Sequence, residues 1–127
     1  MGHANDIHVH LVNSSSKPVV IRDANLDWGK FYRGGDDYTE IYPSNVNGRV
    51  VEPGATRIVY ACGASGALAG TEGGFNVVDN ISSNQITKIY WDVPWRGRNT
   101  FSTTNGIRWD GGTPNAEGMG DVYVRFY

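Results

Sequence analysis

Rings and charges concentrate in two short stretches of this chain. Trp28-Gly29-Lys30-Phe31-Tyr32 groups aromatic residues around a lysine, and Tyr90-Trp91-Asp92-Val93-Pro94-Trp95 runs into Arg96-Gly97-Arg98. Aromatic faces attract quaternary ammonium groups. Lys30, Arg96 and Arg98 offer cations to a phosphate. Indole and phenol rings also favour the boundary between water and lipid, where one part of the ring is dry and the other wet. Together these chemistries suit a zwitterionic phospho-head group, with Tyr90 and its neighbouring rings receiving the ammonium and Lys30 or an arginine the phosphate. The plainer reading of the same rings is that one or two of the tryptophans belong to the core.

Catalytic chemistry has weaker candidates. Cys62 is the only cysteine, which excludes an intrachain disulfide. As a nucleophile it would need a base, yet all the histidines lie near the N-terminus; a small buried residue at a strand end is the better account. Ser65, in Gly63-Ala64-Ser65-Gly66, lacks the strand-turn-helix setting of a nucleophile elbow. No Gly-Lys-Ser/Thr follows to make a phosphate loop. His8 and His10 alternate on one strand face and, with His3, suggest a metal site that no further ligand cluster supports. Asp36-Asp37 with Glu40 reads as a solvated acidic loop. No nucleophile–base set or metal site is complete, so the chain is read as a non-enzyme without a cofactor.

The elements that would carry these residues are strands. Ile7-His8-Val9-His10-Leu11 alternates with strand period, Asn13 to Ser16 reads as a turn, and Pro18 to Ile21 reads as its return strand. Arg57–Cys62, Phe75–Asp79, Gln85–Asp92, Asn99–Ser102, Ile107–Trp109 and Asp121–Tyr127 are further short strands. Arg33 to Asp37 reads as a polar loop, and the stretch holding Gly63, Gly66, Gly70, Gly73 and Gly74 as a flexible one. No segment shows a capped helical stripe. Short strands punctuated by Gly, Pro and Asn predict an all-β chain: a β-sandwich of two mainly antiparallel sheets, as a single domain over residues 1–127.

Bulk composition narrows the partners. The 127 residues suffice for one core. A net charge of −2 gives no basic excess for nucleic acid, nor for non-specific adhesion to anionic lipid. A membrane would have to be recognised through a head group. The N-terminal MGHANDIHVHLV has no charged segment leading into an apolar one, so no signal peptide is expected. No apolar run is long enough to span a bilayer as a helix.

As an ordered series, these residues are similar to the aegerolysin family. The resemblance rests on Trp28-Gly29-Lys30, Gly35-Asp36, Thr39-Glu40, Gly48, Pro53, Ala61-Cys62-Gly63, Ser65, Gly70-Thr71, Gly73, Phe75, Val78-Asp79 and Tyr90-Trp91-Asp92-x-Pro94-Trp95. It runs from about residue 7 to the C-terminus. It implies a β-sandwich that recognises membrane sphingolipids, either sphingomyelin with cholesterol or ceramide phosphoethanolamine. It also implies the targeting half of a two-component cytolysin or insecticidal toxin, whose larger partner carries a membrane-attack-complex/perforin domain. By resemblance, Trp28, Tyr90, Trp91 and Trp95 fall on aromatic membrane-facing positions. With Lys30 and Arg96 they form the expected lipid site, while Ala64, Ser65 and Ala69 form a loop expected to set lipid selectivity. The chain departs from the family at Val93, where a cysteine is common, at Ala64 and Gly66, where charges are common, and at Ala69, where some members carry an acid. Arg96-Gly97-Arg98 replaces a common Gly-Ser-Lys. These expectations make it cytoplasmic when made, or released by a non-classical route, and peripheral at its target membrane. Weak self-association is permitted without being required. The alternative from another class is a carbohydrate-binding module that stacks sugars on exposed tryptophans.

Overall fold

The computed structural model of the chain describes residues 5–64 and 68–127. Two sheets face one another. The first has the order β10-β11-β1-β6-β3-β4, built from β1 (Ile7–Asn13), β3 (Lys30–Gly34), β4 (Asp37–Ile41), β6 (Thr56–Cys62), β10 (Arg108–Gly111) and β11 (Gly120–Phe126). The second has the order β5-β2-β7-β8-β9, from β2 (Val19–Trp28), β5 (Val50–Val51), β7 (Thr71–Asp79), β8 (Gln85–Val93) and β9 (Thr100–Ser102). One helical turn, α1 (Pro43–Val46), joins β4 to β5. All pairings are antiparallel except β1 with β11. The sandwich expected from the sequence is the fold observed.

Alternation explains the core. In β1, Ile7, Val9 and Leu11 point inward and are buried, while His8 and His10 point outward. Val122, Val124 and Phe126 repeat this in β11, and Phe75, Val77, Ile89, Trp91 and Val93 do so from the facing sheet. Trp91 meets Phe31 edge-on at 6.4 Å and Phe75 at 5.9 Å between ring centroids.

Three sequence expectations are corrected here. The strand beginning near Pro18 does not return beside β1; the serine turn carries the chain into the opposite sheet, where β2 pairs with β7 and β5. The expected polar loop from Arg33 is the tip of a hairpin between β3 and β4. Gly73 and Gly74, read as flexible loop, lie inside β7.

The crossing from β2 to β3 fixes one end of the molecule. Gly29 makes it with φ 89°, and a Cβ there would stand 2.4 Å from the Cys62 carbonyl. Only glycine fits both the conformation and the space. The same end gathers the start of β1, the end of β6, the start of β7 and the end of β8.

Candidate lipid head-group site

At that end Trp28, Leu68, Trp95 and Arg96 surround a pocket of about 440 Å³, with Ala69, Gly70, Thr71, Glu72, Asp92, Val93 and Pro94 completing its wall. Trp28 reaches it through a bulge. Leu26 pairs with Gly73 and faces the core, but the register slips before Trp28 pairs with Glu72. The extra residue flips Trp28 to the outer face, where it is 60 % exposed. Trp95 comes from the turn after β8 and is 38 % exposed. Leu68 is more exposed still. Three large apolar side chains thus crown one end of the sandwich.

Beneath them lies a row of polar groups on the outer face of the second sheet. Trp28 stands opposite Glu72, and Glu72 opposite Asp92. The Tyr90 hydroxyl donates to Glu72 Oε2. That bond, with burial, pushes the tyrosine up to about 12. Burial first, then the Glu72 carboxylate, holds the Asp92 carboxyl above the usual carboxylate range. Asp27 adds a further negative charge near Tyr90. The row is an anionic floor that a cation would relieve. Arg96 is exposed at the rim and makes no ion pair among the described residues.

Not every expected site residue arrives here. Trp91 does not: it is 0 % exposed, and its Nε1 donates to Thr71 Oγ1 at 3.2 Å inside the sandwich. Strand period is the reason. Neighbours along β8 face opposite ways, so Tyr90 and Asp92 share the outer face and Trp91 points into the core. Trp91 therefore contributes packing, and its expected contact with lipid is withdrawn. Lys30 belongs to the other sheet, with its Nζ donating to the Tyr38 carbonyl at 2.7 Å; it does not line the pocket. Of the expected selectivity loop, Ala64 is exposed, Ala69 is half-buried in the pocket wall, and Ser65 lies outside the described residues. Glu72 and Asp92 were missed. The alternation Lys88-x-Tyr90-x-Asp92 is the signal that places Asp92 beside Tyr90; Glu72 has no comparable local signal.

The remaining candidates have structural partners. Cys62 is buried, and burial pushes its thiol up to about 11, so the small-residue reading holds. His8 lies 3.0 Å from both Asp6 Oδ2 and Asp121 Oδ1, and His10 lies 2.9 Å from Asp121. Among the described residues, no group of three or more metal-binding side chains converges; His3 lies outside them. Asp37 accepts from the Thr39 backbone and lies 3.6 Å from the Arg33 guanidinium, exposed to solvent.

The family model described as Aegerolysin matches residues 4–125. The chain belongs to the aegerolysin family. It is 33 % identical to Aegerolysin Aa-Pri1 of Cyclocybe aegerita over 96 % of this chain and 89 % of that one. It is 40 % identical to Asp-hemolysin of Aspergillus fumigatus, over 73 % of this chain and 66 % of that one. Among solved structures it resembles RahU protein, crystallised in complex with a TRIS molecule. There the TM-score is 0.89 at 32 % identity, with 95 % of this aegerolysin and 93 % of RahU covered.

Proposed function

We propose that this aegerolysin is a peripheral membrane protein that reads a sphingolipid head group at the Trp28–Trp95 end. It would act as the targeting half of a two-component cytolysin, its larger partner carrying a membrane-attack-complex/perforin domain. The observation that carries the reading is one pocket with a dry crown of Trp28, Leu68 and Trp95, an anionic floor of Glu72 and Asp92, and a cationic rim at Arg96. A zwitterionic head group has the complementary order. Its ammonium sits over the carboxylates and indole faces, its phosphate meets the guanidinium, and its acyl region meets the crown. Two carboxylates also accept N–H bonds, which a primary ammonium supplies and a trimethylammonium does not. Ceramide phosphoethanolamine is therefore preferred over sphingomyelin. The TRIS bound by RahU is a primary amine, and the name of Asp-hemolysin connotes lysis of red cells; both support the reading.

Co-sedimentation with liposomes tests it. The set is ceramide phosphoethanolamine and sphingomyelin, each with and without cholesterol, against phosphatidylcholine. Binding is expected to the sphingolipids and strongest to the ethanolamine form, with the sterol pairs reporting what Ala69 changes. Binding to phosphatidylcholine as strong as to ceramide phosphoethanolamine overturns the head-group reading, and binding to phosphatidylcholine equal to that of sphingomyelin, which shares its phosphocholine, overturns the selectivity for sphingolipid. Dye release by the purified chain alone overturns the targeting role. Retention on a glycan array with no lipid binding would move the crown to a carbohydrate ligand.

A further inference from the structure

Asn5 stands where the chain enters β1. It is 2 % exposed and adopts φ 61°, a conformation in which asparagine is enriched among non-glycine residues. Its side-chain amide donates to the Pro94 carbonyl at 2.8 Å and to the Glu117 carbonyl at 2.5 Å. The Pro94 carbonyl immediately precedes Trp95. Gly70 also packs against this turn: a Cβ there would stand 1.7 Å from the Val93 carbonyl oxygen and 2.8 Å from the Pro94 carbonyl carbon. The turn is thus in close contact with a bare backbone as well as a buried amide. The next residue ties this brace to the first sheet: the Asp6 carbonyl accepts from Met119 N at 2.8 Å and Gly120 N at 3.2 Å.

We propose that Asn5 is a positioning residue for the membrane-facing turn, setting through the Pro94 carbonyl where the Trp95 indole stands over the pocket. This rests on the head-group reading above. A brace of this kind lowers the ordering cost of binding, because the ring is already placed when lipid arrives. It would make Asn5 part of the lipid site without its touching lipid.

Asn13 supplies the control. It is 1 % exposed, and its amide also donates to two backbone carbonyls, Lys17 at 2.8 Å and Val51 at 2.9 Å. It does so at the other end of the sandwich, away from the pocket. N5A and N13A therefore remove the same chemistry from two places. N5G removes the amide while leaving the left-handed backbone unstrained.

The experiment has two arms. The first records the four tryptophan indole N–H signals by NMR without lipid, with Trp95 assigned by W95F. N5A and N5G are expected to shift the Trp95 signal and leave that of Trp91 in place, whereas N13A leaves Trp95 unmoved. The second measures binding to ceramide phosphoethanolamine vesicles, where N5A and N5G are expected to lose about fivefold or more and N13A less than about twofold. An unmoved Trp95 in both Asn5 variants overturns the proposal, as does equal loss of binding in N5G and N13A. If the parent binds no vesicle, the head-group reading fails, and the indole signals still decide what Asn5 does.

Discussion

Trp91 and Trp95 belong to one aromatic run but to two different regions. Trp91 is the last large inward ring of β8, packed between Phe31 and Phe75. Trp95 lies beyond Pro94, where the strand has ended and its alternation no longer dictates a face. The contrast shows that residue type says little about role at the end of a strand; position relative to the last paired residue decides. It also sets the largest expected difference between variants. W91A should destabilise the fold by about 3–5 kcal/mol, the range for a buried aromatic truncated to alanine. W95A and W28A should change stability by only about 0.5 kcal/mol or less. Each should nonetheless lose about tenfold or more in vesicle binding. Denaturant unfolding beside co-sedimentation checks both. If W95A unfolds early and still binds when folded, the two regions are not what they appear from their burial.

The next largest effect falls where the two regions touch. Gly70 contacts the backbone of Val93 and Pro94, the hinge between the strand and its turn. G70A must push that hinge outward, at a cost of about 1–3 kcal/mol or more, and vesicle binding should fall with it. Equal stability and binding in parent and G70A would show that the turn moves freely and that nothing there is pre-placed.

The two regions were unequally legible before the structure. The core strands announce themselves, because Ile7-x-Val9-x-Leu11 and Val122-x-Val124-x-Phe126 alternate without interruption. The β3–β4 hairpin does not, since Gly34, Gly35 and the acids beside them have the composition of a loop. Nor does any local pattern say that β2 leaves β1 for the other sheet; that choice is made by pairings distant in the chain. Within the site, Trp28, Trp95 and Arg96 stood out because rings beside charges are uncommon in a strand core. Trp28 is exposed for a reason the sequence hides, a bulge that reverses its face. Lys30 was drawn in by adjacency to Trp28, although Gly29 carries the chain between sheets in a single residue.

A smaller effect separates the floor of the site from its crown. Asp92 is held above its ordinary value by burial and Glu72. A carboxyl raised in the folded state is easiest to keep when protonated, and stability is lost as pH climbs through its ordinary and then its folded value. At neutral pH the charged Asp92 therefore works against the fold. D92N should raise Tm by roughly 1–2 °C, the scale of a few tenths of a kcal/mol. It should weaken binding to ethanolamine head groups more than to choline ones, because it removes an acceptor for N–H. A lower Tm would show that the charged Asp92 does not work against the fold, and an equal loss on both lipids would leave the floor without a part in recognition.

The smallest effect lies on the outer face of the first sheet, where His8 ties Asp6 to Asp121. Both its ring nitrogens face carboxylate oxygens at 3.0 Å, and only the imidazolium donates to both. The Asp6 hydrogen bond, helped by Asp121 and opposed by burial, raises His8 from 6.5. His10, which also bonds Asp121, and the Tyr60 ring at 5.2 Å complete the surroundings. Asp121 is lowered from 3.8, chiefly by His10 and then by His8. The histidine contribution is whole below its ordinary value and fades as pH rises through the folded one; the aspartate contribution is whole above its ordinary value and fades as pH falls through the folded one. Both are present together between about 4 and 6.5. The parent should therefore lose Tm on going from pH 6 to pH 8, on the order of 1–3 °C, and H8Q should flatten that slope without changing W95A's loss of binding. A slope unchanged in H8Q would place the titrating group elsewhere. A slope that vanishes together with vesicle binding would show that the Asp6 tether reaches the Pro94 turn, joining the outer face of the first sheet to the crown of the second.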